Sequence, residues 1–213
     1  MRQWNISLWN DDVELFSGTC DAGTNLQEYI NTNYPIIPYK DDRSLDLRST
    51  YSFEGYALSK TATSGINASR HEITSNMVLY AIFKEISVYD NVHEDYWDYT
   101  LINNNAYGTN YDDNDNSYHI ASGYVVMPKA NKGLKGKLTV PDVYNNLPVF
   151  KLGNEAFFDN TEITHIFVKG NNLRIVGESC FSATRFANDG TENNALKYFD
   201  FKDGLRRIER YAF

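Results

Sequence analysis

The chain of 213 residues is poor in cysteine, methionine and proline, with two, three and five respectively. Two cysteines, Cys20 and Cys180, cannot build the disulfide framework of a small secreted scaffold. Long apolar runs are missing too. No stretch approaches the ~18–20 residues of a membrane-spanning helix, so no membrane insertion is expected of this segment. The opening Met-Arg-Gln-Trp-Asn-Ile-Ser-Leu-Trp lacks the unbroken apolar stretch of a secretory signal. Either the chain is not exported by that route, or a signal was removed. Basic residues are scarce: 20 Lys+Arg stand against 28 Asp+Glu, a net charge of −8. That balance excludes general nucleic-acid binding, because phosphate contacts need clustered Lys and Arg. What remains, 42% hydrophobic and 23% charged residues, can build a core. The length allows one large domain or two small ones.

The sharpest absence is local. Between Lys84 and Lys129 there is no Lys or Arg, while Glu85, Asp90, Glu94, Asp95, Asp98, Asp112, Asp113 and Asp115 all fall in that interval. Those eight carboxylates equal the whole net charge, so the flanking regions balance. The interval also holds seven tyrosines, Trp97 and the Asn103–Asn105 run. Composition thus divides the chain into residues 1–86, an acidic Tyr/Asn/Asp-rich linker or cap over 87–117, and a final part from 118 to 213.

In the first part, Trp4, Ile6 and Leu8 alternate with polar residues as in a half-buried strand. Asn10-Asp11-Asp12 is turn chemistry, and Val13 and Leu15 resume the alternation in a hairpin partner. Thr24-Asn25-Leu26-Gln27 matches a capping box, with Leu26, Tyr29 and Ile30 following at helical spacing. Tyr51–Ala57 and Met77–Phe83 supply two more strands. The order strand, strand, helix, strand, strand predicts a small α+β sheet of β-grasp type. Gly23-Thr24, Phe53-Glu54-Gly55-Tyr56 and Ile73-Thr74-Ser75-Asn76-Met77-Val78-Leu79-Tyr80-Ala81 make residues 3 to about 85 resemble the Listeria–Bacteroides repeat of bacterial surface proteins. The segment from Asn31 to Thr50 is longer than that family usually carries, and Tyr56 stands where Trp is common. The resemblance implies a spacer or interaction module without catalytic residues.

Internal self-similarity is the strongest signal in the chain. Leu152-Gly-Asn-Glu-Ala-Phe157, Val176-Gly-Glu-Ser-Cys-Phe181 and Ile208-Glu-Arg-Tyr-Ala-Phe213 share an aliphatic residue followed by a small residue and Phe at the fifth and sixth positions. Between them, Ile163, Ile166 and Val168 match Leu196, Phe199 and Phe201. Phe157 to Phe181 is 24 positions and Phe181 to Phe213 is 32, the excess being a polar insertion around Ala187–Asn194. These spacings predict successive parallel strands with Ile166, Val168, Phe199 and Phe201 inward and each Phe of the Ala-Phe pair wedged behind them. A single unit of about two dozen residues buries too little to offset its ordering entropy, so each needs a neighbour or a cap. Gly136–Pro141, then Leu147-Pro148-Val149 ahead of Leu152-Gly153, complete a pattern over about 118–213 that resembles leucine-rich repeats of the BspA type. That resemblance implies a curved solenoid binding proteins or glycans, with no active site. The pattern stops mid-repeat at Phe213, and the natural chain is expected to continue.

Candidate chemistry is sparse. His165 sits beside the inward Ile166 and is expected to face outward. His93-Glu94 lies near Asp95 and Asp98, but no second histidine stands at helical spacing, so no metal is assigned. Asp112-x-Asn114-x-Asn116 opens like a calcium loop, yet Ser117 and Gly123 occupy the positions that need Gly and a bidentate Glu. Gly-x-Ser-x-Gly is absent, and Gly133–Lys137 lacks P-loop spacing. Cys180 occupies the place of Ala156 and Ala212, the position of a small buried filler, and Cys20 has no base nearby. Asn5-Ile6-Ser7 and Asn67-Ala68-Ser69 are glycosylation sequons, relevant only in a secreted eukaryotic protein.

The sequence therefore points to an α+β, mainly β protein: an N-terminal β-grasp-like domain followed by a leucine-rich-repeat solenoid with parallel strands. A non-enzymatic attachment or recognition role on an extracellular surface follows, with protein or glycan partners in a larger assembly and no cofactor. Tyr96, Trp97, Tyr99, Tyr107 and Tyr111 are the binding candidates, since Tyr and Trp give large contact area at low entropy cost. The competing role for Tyr96, Trp97 and Tyr99 is to cap the first repeat. The setting is a bacterial cell surface or, alternatively, a bacteriophage virion on which the N-terminal domain docks. A further alternative is the non-catalytic part of a larger glycan-active enzyme.

Overall fold

The computed structural model describes residues 2–40, 47–103, 122–182 and 196–213. Tyr107, Tyr111, the calcium-like loop at 112–116, His119 and the 187–194 insertion lie outside them. The chain divides into one unit of Met1–Ile86 with Asn131–Gly133, and a second of Ser87–Ala130 with Leu134–Phe213. Residues 87–103, the described part of the acidic segment, thus belong to the second unit.

In the first unit the chain runs β1 (Gln3–Asn10), β2 (Val13–Asp21), α1 (Leu26–Asn33), β3 (Ser49–Ala57) and β4 (Met77–Ser87). The strand order is β2-β1-β4-β3. β1 is antiparallel to β2, with Asp11 in the left-handed region at the turn (φ 51°), and parallel to β4. Ile6, Leu8 and Leu79 form one core with Leu26, Tyr29 and Ile30 of α1, as the two periodicities require. The helix cap is one residue later than the expected box. Asn25 is extended (φ −68°, ψ 129°), and its Oδ1 accepts from the backbone N–H of Gln27 and Glu28 at 3.0 and 3.2 Å. The Thr24 hydroxyl donates to the Asp21 carbonyl instead, and the Gln27 side chain turns forward to Asn31. With Thr24 tied back into the preceding turn, Asn25 is the side chain left to take the orphan donors.

The second unit is built of strands that alternate between two sheets. β5 (Trp97–Asn103), β6 (Ser122–Pro128), β9 (Leu147–Leu152), β11 (Ile175–Val176) and β13 (Arg207–Ile208) make one sheet; β7 (Gly136–Val140), β10 (Ile163–Val168) and β12 (Tyr198–Phe199) make the other; β8 (Val143–Tyr144) forms a hairpin with β9. Except for β5 and β8, all these pairings are parallel. Their registers follow the sequence alignment where it reaches, with Leu152, Val176 and Ile208 successive partners in one sheet and Ile166 beside Phe199 in the other, and the structure adds Val126 next to Leu152 and Leu138 next to Ile166. Ile166 and Val168 are fully buried, and Phe157 and Phe181 lie behind them at 4% and 3% exposure.

Successive turns repeat in detail. Phe157 donates its N–H to the Cys180 carbonyl, and Phe181 to that of Ala212, both at 2.7 Å. Glu155, Ser179 and Tyr211, the fourth residue of each hexapeptide, adopt φ of 59°, 56° and 58°. Gly177 is needed for contact rather than for φ: a Cβ there would lie 2.7 Å from the Leu152 carbonyl oxygen, the Gly153 carbonyl carbon and the Asn154 nitrogen. At its first strand the second unit is covered by β5, antiparallel to β6, with Trp97 buried at 1% exposure and edge-on to Phe157.

Two expectations change. Phe201 is not inward: it is 38% exposed and packs on Phe199 and Phe213, because no described strand stacks beyond β12 and β13. His165, expected to face outward as a solvated or surface-lining residue, is half-buried, its ring 6.5 Å from that of Phe167, against which the turn at Val88–Asp90 packs through Tyr89. Val88 is fully buried there, its carbonyl accepts from the Thr139 hydroxyl at 2.5 Å, and Tyr89 sits edge-on to the buried Phe167.

Candidate functional site

Among the described residues of the second unit, an open groove of about 610 Å³ is lined by Glu94, Asp95, Trp97, Asp98, Tyr99, Tyr124, Lys129 and Tyr144. Its aromatic wall comes from three strands. β5 carries Trp97 and Tyr99 on one face, and pairing with β6 sets Tyr99 opposite Val126 and Leu101 opposite Tyr124. Tyr144 arrives through the two-residue loop Asn145-Asn146, whose φ values of 47° and 62° make the primed turn that fits strand twist. Tyr99 and Tyr144 stack face to face with ring centroids 3.6 Å apart and planes 10° from parallel. Tyr124 stands perpendicular to both, at 5.8 and 5.0 Å.

The rim is acidic. Glu94, Asp95 and Asp98 are exposed, against the single ammonium of Lys129. The backbone around them is tied down: Lys129 donates its N–H to the Tyr96 carbonyl at 2.8 Å, and Tyr96 stacks on His93 at 4.6 Å. Burial, followed by the negative field of Glu94 and a smaller share from Tyr144 and Asp95, pushes the Tyr99 phenol well above its ordinary value. Burial and Asp95 do the same to Tyr96. Both are neutral hydroxyls at physiological pH. The Tyr99 hydroxyl and the Trp97 indole N–H are buried without a hydrogen-bond partner.

The structure brings Tyr96, Trp97 and Tyr99 together but gives them different surroundings. Trp97 spends its area in the core, Tyr96 is packed against that core, and Tyr99 faces the groove. Tyr107 and Tyr111 lie outside the described residues. Sequence reasoning missed Tyr124, Tyr144 and Lys129. The Asn145-Asn146 pair carried the signal for Tyr144, since two residues that tolerate positive φ between Val143-Tyr144 and Leu147-Pro148 mark a tight hairpin.

Other chemistry is muted. Cys20 and Cys180 are free and buried. Cys180 fills the expected small-residue position, and burial pushes its thiol up to about 12, so it is protonated at neutral pH. Among the described residues no three His, Cys, Asp or Glu side chains gather as a metal site, and no helix is long and apolar enough to cross a membrane.

No protein-family model matches the chain, so neither the BspA-type nor the Listeria–Bacteroides resemblance has support from that comparison. No curated protein matches it either. Among solved structures, a leucine-rich repeat protein of T. pallidum aligns at 19% identity and a TM-score of 0.38, over 55% of this chain and 42% of that one. The chain therefore spans less than half the length of that protein.

Proposed function

We propose that this chain is a non-enzymatic recognition protein that attaches to protein partners through the second unit, a leucine-rich-repeat-like solenoid, with the first unit serving as a β-grasp-like anchor. Two kinds of regularity support the architecture: the parallel registers that recur from turn to turn, and a mixed sheet in the order β2-β1-β4-β3 with α1 in its core. Display on a bacterial surface belongs to the same proposal and is supported by the family resemblances of the sequence; a bacteriophage virion is the alternative setting, which those resemblances do not support.

The observation that carries recognition is the groove. Tyr99, Tyr124 and Tyr144 are held in mutual contact on a hydrogen-bonded sheet, so a partner can bury aromatic area without ordering flexible side chains first. The test is cross-linking of the full chain to host surface or particle extracts, then measurement of the identified protein's Kd against wild type and Tyr144→Ala. Tyr144 is chosen because it lies outside the buried core set. Saturable binding weakened at least tenfold by Tyr144→Ala is the expected result. Equal binding by both forms, or no saturable protein partner, overturns the reading.

A further inference from the structure

We infer that the first unit pairs with a second copy of this chain through the outer edge of β2, antiparallel and centred on Gly18, so that two four-stranded sheets join into one. The interface lies in the first unit and goes beyond the recognition reading, which concerns the groove of the second.

β2 ends the strand order β2-β1-β4-β3 and is nine residues long. In an antiparallel ladder, alternate residues turn their N–H and C=O away from the neighbouring strand. Among the described residues, no hydrogen bond outside the β1 ladder reaches Val13–Cys20. Such a row of unanswered donors and acceptors is a template for another strand. The opposite edge differs, because a returning segment lies on β3. Ile66 donates its N–H to the Tyr56 carbonyl there at 2.7 Å, and a Cβ on Gly65 would meet the Glu54 carbonyl oxygen at 3.1 Å.

Sheet edges are commonly guarded by lysine, proline, inward-pointing charges or bulges. In β2 the guards stand only at the ends. Leu15 is skipped between the Leu8–Phe16 and Trp9–Glu14 pairs, with Glu14 just before it, and Asp21 closes the strand. The run Phe16-Ser17-Gly18-Thr19-Cys20 between them has no charge and no proline.

The same run selects the partner, because it is complementary to itself about Gly18. Phe16 falls opposite the copy's Cys20, and Ser17 opposite the copy's Thr19. Ser17 and Thr19 are exposed, so hydroxyl meets hydroxyl on the solvent face, a favourable cross-strand pair. Apolar residues meet on the core face. Phe16 is only half-buried where Ile6 and Leu8 of the next strand are fully buried, so the added strand also covers aromatic surface. A slip of one position would turn the faces over, and a slip of two would push the run onto Leu15 or Asp21. Two joined chains carry two grooves, which makes a weak groove contact an avid one.

Sedimentation velocity of the full chain tests this, together with hydrogen exchange read at the β2 amides. A monomer–dimer equilibrium with a Kd on the order of 10–100 μM is expected, since one added strand pair makes a small interface. Amide protection within residues 16–20 should grow with concentration. Two double variants probe the register, Ser17→Lys/Thr19→Lys and Ser17→Glu/Thr19→Glu, both at exposed positions. Each alone opposes like charges across the two-fold and should pair about tenfold more weakly or worse; mixed, the two should pair about as tightly as wild type. A wild type that stays monomeric up to about 1 mM overturns the proposal. So does a dimer whose affinity the like-charge variants share, or whose protection lies outside β2. Failure of the mixture to pair, with both variants showing the wild-type circular dichroism, overturns the symmetric site. The exchange pattern of the wild type decides the site even where a variant fails to fold.

Discussion

Phe157 and Phe181 lie one above the other with ring centroids 5.0 Å apart and planes 2° from parallel. Phe213 continues the column at 5.2 Å from Phe181. Phe181 therefore packs on both sides, and truncating it opens a cavity that neither neighbour can fill. Phe181→Ala is expected to cost about 3–5 kcal/mol of the second unit's stability. Phe213→Ala, at a ring that is 53% exposed, should cost far less. Denaturant unfolding followed by near-ultraviolet circular dichroism measures both, and equal losses would contradict the packing order.

A buried ion pair crosses the same sheet. Lys151 on β9 meets Glu209, just after β13, at 2.7 Å, with side chains 4% and 13% exposed. Glu209 also accepts from the Glu178 N–H and lies 3.3 Å from Arg207. Removing the carboxylate leaves a buried ammonium without its counter-charge, which costs about 3–5 kcal/mol, whereas replacing both partners with apolar residues is close to neutral. Glu209→Ala should lower stability strongly and Lys151→Met/Glu209→Leu should recover most of it. A double variant no more stable than the single one counts against this account.

Crowding separates two glycines of one unit. Gly177→Ala forces a methyl against three backbone atoms of the preceding turn, including the Leu152 carbonyl that accepts the Gly177 N–H. The nearest atoms to a methyl at Gly170→Ala are those of the Asp142 carboxyl, a side chain that can rotate away at the loss of its bond to the Asn172 N–H. The expected losses are about 3 kcal/mol for Gly177→Ala and about 1 kcal/mol for Gly170→Ala. Urea midpoints of the two variants check the order.

Acid should weaken the turn over the outer sheet face. Tyr89 donates to Asp200 at 2.8 Å, and Lys202 bonds both. Burial alone would raise the Asp200 carboxyl, but the hydrogen bonds from Lys202 and Tyr89 and the Lys202 charge outweigh it and hold it below its ordinary 3.8. The same contacts raise Lys202 above 10.5. A depressed acid stabilises above its unfolded value and loses that contribution as pH falls through the folded one; a raised base does the reverse on the alkaline side. The cluster thus contributes fully between about pH 4 and 10. The difference in Tm between wild type and Asp200→Asn should be constant across that window and shrink below pH 4. A difference that grows on acidification would contradict it.

Much of this fold was legible because burial imposes a period. Ile6 and Leu8 at a spacing of two, Leu26, Tyr29 and Ile30 at helical spacing, and the recurring Ala-Phe or Cys-Phe pair each mark one buried face. The candidate site was half legible. Trp97 and Tyr99 stood out by composition, but Tyr144 is 45 positions from Tyr99 and joins it only through a hairpin and a shared sheet.

Apolar spacing alone decided which residues pair from one turn to the next, down to Ile166 beside Phe199, since a slip of one position would turn a buried face to solvent. Backbone geometry and polar matching belonged to the tertiary structure. Glu155, Ser179 and Tyr211 share a left-handed conformation that none of their side chains announces; stacked turns impose it through bonds such as that from the Ser179 N–H to the Arg210 carbonyl. The Lys151–Glu209 pair, the Tyr89 cluster and the acidic rim around Tyr99 and Tyr144 likewise exist only once distant strands are in place. Charges and hydroxyls carry no periodicity of their own, so only the folded sheet can choose their partners.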